Sequence, residues 1–131
     1  MAGFGELHQS ADWKTEKHAP VIEAPPTVRA DEPVDITAMI GKEIGHPNTT
    51  EHHIVWIELH FKPDNGKFSH QLSSSHFTAH GESVDGANKG PAYTEPACRT
   101  TVKLKDSGTL FATSYCNIHG LWENQQRIEV T

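Results

Sequence analysis

The chain has 131 residues, of which 35% are hydrophobic, and its formal net charge is −6. This length suits one domain with a modest core, so we expect a single domain over residues 1–131, with residues 1–15 as a loosely structured lead-in. No apolar run reaches the roughly 18–20 residues that span a bilayer, and lysines and arginines never cluster. Neither a membrane nor a nucleic acid is therefore an expected partner.

The start of the chain and its two cysteines indicate a cytoplasmic protein. Residues 1–10 contain neither a basic segment nor a continuous apolar run, so no secretory signal is visible. Cys98 and Cys116 are able in principle to form one disulfide, but a cytoplasmic setting argues against it. Cys116 is also a candidate metal ligand.

Strand-like patterns separated by turn residues run along the chain, and no convincing helix is visible. In chain order we predict strands at 21–22, 34–40, 52–61, 98–105, 109–115 and 127–130, with shorter pieces at 68–72, 75–79 and 92–93. About seven strands at this spacing favour an all-β fold, an immunoglobulin-like β-sandwich.

The side chains of the longest predicted strand, residues 52–61, alternate between two faces. One face, taken as the core face, holds His53, Val55, Ile57, Leu59 and Phe61, and the other holds His52, Ile54, Trp56, Glu58 and His60. Adjacent His52 and His53 are then expected to point in opposite directions. At most one of them should reach a given metal.

A Cys-x-x-His motif follows the predicted strand at 109–115. Cys116 and His119 are so spaced that a tight turn would aim a thiolate and an imidazole at one point. His18, His46 and His52 stand in loops or at a strand end. Four imidazoles and one thiolate overfill a tetrahedral zinc site, whereas five ligands with an open sixth position suit iron. The remaining histidines, His8, His60, His70, His76 and His80, are assigned no role.

Three separated motifs, in this order, resemble superoxide reductase of the neelaredoxin type. They are Glu16-Lys17-His18, the histidine loop at 46–53 and the segment 114–122 around the Cys-x-x-His pair. The similarity extends over nearly the whole chain from about Ala11. Proteins of this type lack the additional N-terminal rubredoxin-like domain of desulfoferrodoxin.

The resemblance implies one mononuclear iron per chain and one-electron reduction of superoxide to hydrogen peroxide, without dismutation. The implied equatorial ligands are His18, His46, His52 and His119, and the implied axial ligand is Cys116. Glu16 matches the carboxylate that can occupy the sixth iron position in the oxidised resting state. Lys17 matches a cation beside the open position, which would attract superoxide and help to deliver protons.

The resemblance also implies an electron donor and a homotetramer, and the chain departs from the family pattern at one position. The electron donor would be rubredoxin or a similar small redox protein, and the short proteins of this type form homotetramers. The loop position of Asn117, Ile118 and the neighbouring residues suggests that their backbone amides donate hydrogen bonds to the sulfur. Gly45 stands where the family has a proline, which should loosen the approach to His46 but remove no ligand.

Two other classes of protein share part of this pattern. Cupredoxins also place Tyr-Cys-x-x-His after a strand, but they usually add an axial methionine within a few residues. This chain has only Met1 and Met39, both far from the motif in sequence. A structural zinc site in a binding module is the second alternative, and it would need neither Lys17 nor an open coordination position.

Overall fold

The computed structural model describes residues 3–131. Apolar residues alternate with polar ones along the strands, and the apolar faces of two β-sheets pack against each other. The strands are β1 (Val21–Glu23), β2 (Thr27–Val28), β3 (Val34–Met39), β4 (Ile54–Pro63), β5 (His70–His76), β6 (Ala97–Val102), β7 (Gly108–Cys116) and β8 (Gly120–Val130). One sheet has the order β1-β3-β6 and the other β2-β8-β7-β4-β5. The predicted all-β sandwich is confirmed, with eight strands in the described part of the chain instead of about seven.

The core lies between the two sheets and draws on both. Its largest fully buried apolar side chains are Ile36 on β3, Ile57 and Leu59 on β4, Leu110 on β7 and Ile128 on β8. Burial of each such side chain is worth about 1.5–3 kcal/mol. This core holds the ends of β4 and β7 in place, and those ends carry the histidine loop and the Cys-x-x-His turn.

The strand predicted at 52–61 begins two residues later in the structure. β4 starts at Ile54, and a β-bulge follows in its pairing with β7. Because a bulge adds one residue to a strand, Ile54 is buried and Val55 is not, so the predicted alternation is wrong here. From Ile57 onward the predicted core face is correct. His52 and His53 lie in the preceding loop, where strand alternation does not determine their direction.

The last strand is much longer than the predicted 127–130. β8 covers Gly120–Val130 and pairs with β7 from end to end. Asn124 and Gln126 occupy positions in phase with its buried residues, and their side-chain amides donate to backbone carbonyl oxygens on either side of β1. These two polar residues remove the alternation that would have predicted the strand. The Cys-x-x-His motif is consequently the turn of a hairpin between two adjacent long strands.

The region between β4 and β6 also differs from the prediction. The pieces predicted at 68–72 and 75–79 are replaced by one strand, His70–His76, at the edge of the larger sheet. Its residues are mostly exposed, so the sequence has no apolar alternation to mark it. The piece predicted at 92–93 is an isolated bridge between Tyr93 and His80.

The predicted lead-in, residues 1–15, is partly described. Met1 and Ala2 lie outside the described residues. A single turn of 3₁₀ helix, Phe4–Leu7, buries none of its residues, and Gln9 exchanges backbone hydrogen bonds with β8. Nowhere in the described part of the chain is there a helix of the length and apolarity needed to cross a membrane.

Candidate metal centre

The Cys-x-x-His motif is held in a tight hairpin turn. Cys116 ends β7, Gly120 begins β8, and these two residues are partners in the ladder. Gly120 has φ +82°, a left-handed conformation that glycine adopts without strain and that suits a three-residue hairpin loop. Cys116 is fully buried, and its Sγ accepts a hydrogen bond from the His119 backbone N–H at 3.4 Å. The turn thus folds the two candidate ligands towards each other.

Asn117 ties this turn to the histidine loop through three hydrogen bonds. Its backbone N–H donates to the His53 carbonyl (3.2 Å), its Nδ2 donates to the Glu51 carbonyl (2.9 Å), and its Oδ1 accepts from the His53 backbone N–H (2.9 Å). The predicted bond from the Asn117 amide to the sulfur is therefore wrong, because that amide is used elsewhere. His52, between the two bonded residues, is fixed relative to the turn.

Hydrogen bonds also orient the histidines of the loop 46–53. His46 Nδ1 lies 2.7 Å from the Pro47 carbonyl oxygen, which can only accept, so Nδ1 carries the hydrogen and Nε2 the lone pair. Thr49 Oγ1 accepts from the His52 backbone N–H at 3.0 Å, and the Thr49 backbone N–H donates to the His52 carbonyl at 3.0 Å. This closed turn presents the His52 ring to the cluster.

His18 enters the cluster from the segment before β1. It is buried, and its ring stacks on that of Trp122 with 5.0 Å between centroids. Glu16 Oε1 accepts from the His18 backbone N–H at 2.9 Å and lies 2.7 Å from His18 Nδ1. His18 Nε2 is therefore left to face His119. Glu16 sits on the side of the ring away from the cluster, while Lys17 is half-buried between the two in sequence.

The four candidate imidazoles form a closed ring in the order His18, His119, His52, His46. Centroid distances between successive members are 4.5, 5.0, 4.7 and 4.8 Å, and the distance across the ring from His18 to His52 is 6.2 Å. Cys116 Sγ lies 3.6 Å from His46 Nε2 and 3.8 Å from His119 Nδ1. One sulfur thus accompanies a ring of four imidazoles.

The spacing of the nitrogens fits a single metal ion. His119 Nδ1 lies 3.0 Å from His18 Nε2 and 3.2 Å from His52 Nε2. Two ligands at right angles, each about 2.1 Å from a metal, are roughly 3 Å apart. The ligand atoms of His18, His52, Cys116 and His119 all lie within 4.8 Å of one another. His46 falls outside that set, but its ring lies beside those of His18 and His52.

Comparison with known proteins agrees with this architecture. Residues 10–125 match the family model described as Desulfoferrodoxin. The chain belongs to the desulfoferrodoxin family. It is 53% identical to the superoxide reductase of Pyrococcus furiosus, over 96% of this chain and 99% of that protein. It is 52% identical to the neelaredoxin of Megalodesulfovibrio gigas, over 94% of this chain and 95% of that protein.

Solved structures extend the likeness to three dimensions. A superoxide reductase (neelaredoxin) from Archaeoglobus fulgidus in the reduced form superposes with a TM-score of 0.87 at 51% identity, covering 94% of this chain and 98% of that chain. The family resemblance predicted from three sequence motifs is therefore confirmed for this member of the desulfoferrodoxin family.

Burial favours the neutral form of His18, His46 and His52 in this desulfoferrodoxin-family chain. Desolvation lowers the pKa of His46 to about 4 and is also the largest cause of the lowered pKa values of His18 and His52. The positive charge of Lys17 adds to the lowering at all three. Hydrogen bonds from the backbone and ring of His18 hold the pKa of the Glu16 carboxyl below its usual range. Neutral imidazoles keep their lone pairs, which a metal requires.

We expect the metal-free protein to lose stability in mild acid. The pKa of His46 falls from an ordinary value of 6.5 to about 4 on folding, so between these values the unfolded chain binds more protons. The free energy of unfolding then decreases as the pH falls from 6.5, by at most about 3 kcal/mol from His46 alone. His18 and His52 act in the same direction. Denaturant unfolding of the metal-free protein across this pH range measures the effect.

His46→Gln supplies the control for that measurement. Because glutamine does not titrate, the variant should lose less stability than the wild type over the same pH interval. Equal acid sensitivity in the two proteins would show that His46 is not responsible.

Sequence reasoning missed how three residues orient the candidate ligands. Asn117 and Thr49 hold the two loops, and Trp122 packs on the His18 ring. All three lie inside or beside the motifs, but their types alone do not mark them, since asparagine and threonine are common in turns. Their roles depend on contacts between segments that are remote in the chain.

Proposed function

We propose that this chain is a superoxide reductase, which reduces superoxide by one electron to hydrogen peroxide and so removes a toxic oxidant. The observation that carries the proposal is the square of four imidazoles with one buried thiol to one side. The proposed ligands are His18, His46 and His52 through Nε2, His119 through Nδ1 and Cys116 through Sγ.

The donor set favours one mononuclear iron per chain. Five ligands exceed the four of a structural zinc site, and a thiolate with imidazoles suits a redox metal. The iron, when bound, supplies the electron that superoxide takes up. Because the sulfur of Cys116 lies to one side of the square, the opposite side is left for substrate. His119 is exposed, so the cluster lies close to the surface.

Lys17 is proposed to attract superoxide and to assist proton delivery. Its charge contributes to lowering the pKa values of His18, His46 and His52, so the ammonium acts on three of the four imidazoles. A local cation offsets the repulsion that a chain of net charge −6 exerts on an anion. Hydrogen peroxide forms from superoxide, one electron and two protons, and a protonated amine close to the site can help to supply protons.

Glu16 is proposed to have two positions. In the structure its carboxylate accepts from His18 and thereby orients that imidazole, as outer partners of metal-bound histidines do. To occupy the sixth iron position in the oxidised state, the carboxylate has to leave the His18 ring. The two positions are thus mutually exclusive.

The copper alternative finds no support in the position of Met39. This residue lies on β3, where it pairs with Val21 and Ala97 in the smaller sheet, and it is out of phase with the buried residues Ile36 and Ala38, so its side chain is on the outer face of that sheet. An axial methionine would have to reach the sulfur and the imidazoles, which sit at the end of the larger sheet.

We further propose a single-domain protein that acts in the cytoplasm as a homotetramer and takes electrons from rubredoxin or a similar small carrier. Both sheets share one core, which supports one domain, and Cys98 and Cys116 are both free thiols, which supports a reducing compartment. Sedimentation of the purified protein tests the tetramer.

Metal analysis with visible spectra is the experiment that tests the function. We expect one iron per chain, nearly colourless when reduced and blue when oxidised, and consumption of superoxide without release of oxygen. Copper, or zinc with no redox colour, would replace the proposal with an electron carrier or a binding module. Oxygen release with peroxide in equal amounts would indicate dismutation instead.

A further inference from the structure

His80 is a buried histidine outside the proposed ligand set. Its exposed fraction is 3%, and it follows β5 in the chain. Its Nδ1 lies 2.8 Å from Asn48 Oδ1, and its Nε2 lies 2.8 Å from the Phe77 carbonyl oxygen. Both ring nitrogens therefore face an oxygen at hydrogen-bond distance.

Neither oxygen can donate. The Phe77 carbonyl is an acceptor only, and the Asn48 amide is oriented by its Nδ2, which donates to the Thr94 carbonyl at 3.0 Å. Turning that amide around would set its oxygen against the carbonyl of Thr94. A neutral imidazole carries one N–H and would leave a lone pair facing an oxygen, whereas an imidazolium carries two.

Two neighbours accommodate a positive charge on His80. The His53 ring stacks on it with 3.5 Å between centroids and 6° between planes, while His53 Nδ1 lies 2.8 Å from the Thr49 carbonyl oxygen. Glu82 Oε1 accepts from the His80 backbone N–H at 2.7 Å. That bond is the largest cause of the lowered pKa of the Glu82 carboxyl, so a carboxylate lies against the His80 backbone N–H at neutral pH. The titratable residues found against His80 in the described residues are His53, Glu82 and Tyr93, the last of which pairs with it through a backbone bridge.

We propose that His80 is a buried imidazolium and a positioning residue that clamps both ends of the histidine loop, residues 46–53. At one end it binds Asn48, two residues after His46. At the other end it stacks on His53, which follows His52. The clamp holds the two proposed ligands of this loop at a constant separation. The positioning role rests on the proposed ligand set, whereas the charge on His80 does not.

The charge is tested by long-range ¹H–¹⁵N spectra of the zinc-loaded protein, which is diamagnetic, with His80→Gln used to assign the signals. We expect both His80 nitrogens to carry hydrogen at neutral pH, and a single N–H would overturn the proposal. Asn48→Leu removes one acceptor at similar volume, so the doubly protonated share should fall. An unchanged share would show that the acceptor pair does not hold the second proton.

The positioning role is tested by the rate at which Fe²⁺ passes from the protein to a chelator. We expect His80→Gln to release iron about 10-fold faster, since both N–H groups of glutamine are on one nitrogen and cannot replace donors at two separate ring nitrogens. His76→Gln, an exposed histidine on β5, should behave as wild type. Release from His80→Gln at the wild-type rate would overturn the positioning role. If His80→Gln does not fold, Asn48→Leu is measured in its place. A protein that binds no iron would contradict the proposed function and leave the spectra to decide the charge.

Discussion

Cys116→Ser is expected to abolish the blue thiolate-to-iron absorption of the oxidised protein. The sulfur is fully buried and lies 3.6–3.8 Å from His46 Nε2 and His119 Nδ1, so it belongs to the same site as the imidazoles. Serine changes one atom, but its hydroxyl stays protonated near neutral pH and is a poorer ligand than a thiolate. Loss of the colour, with iron content measured in parallel, is the expected result.

Cys98→Ser is the matched control for this variant. Cys98 is equally buried, but it lies on β6 with its Sγ 2.9 Å from Ser73 Oγ, a hydroxyl partner that serine can also satisfy. It should keep the spectrum of the wild type. If Cys116→Ser stayed blue, or if Cys98→Ser lost the colour, the assignment of the axial ligand would be wrong.

Lys17→Ala is expected to slow superoxide reduction by about 10-fold at low ionic strength and to weaken the dependence of the rate on salt. The reason is electrostatic, because Lys17 is the cation whose charge acts on His18, His46 and His52. Added salt screens an attraction between the protein and an anion, so a variant without that attraction responds less. Pulse radiolysis at several ionic strengths measures both quantities.

Lys14→Ala separates local from overall charge. It removes the same single positive charge from the chain, but Lys14 lies over the Trp13 ring and does not contribute to the pKa shifts of the cluster. Its rate should stay close to that of the wild type, and Lys17→Arg should retain most of the rate. Equal losses in the two alanine variants would point to net charge, and no loss in either would remove Lys17 from the mechanism.

Most of the sandwich could be predicted because alternation is a local signal. β3 carries apolar residues at every second position and β7 contains an apolar run, and each was predicted to within one residue at either end. Strand prediction failed on β8, where the polar residues Asn124 and Gln126 lie at inward positions. Their side chains are hydrogen-bonded to segments that are distant in the chain. It also failed at the bulge that follows Ile54, since a bulge is defined by two strands together.

The sequence by itself determined the family and the candidate ligands, because three motifs in a particular order are local features of the chain. Only the tertiary structure decided which nitrogen of each imidazole faces the centre, since the outer nitrogen of His46 is fixed by the Pro47 carbonyl and that of His18 by Glu16. It also decided that His80 is buried beneath the histidine loop, 27 residues beyond the His53 ring it stacks on. The physical reason is that ring orientation and burial depend on hydrogen-bond partners from distant segments, which no local pattern encodes.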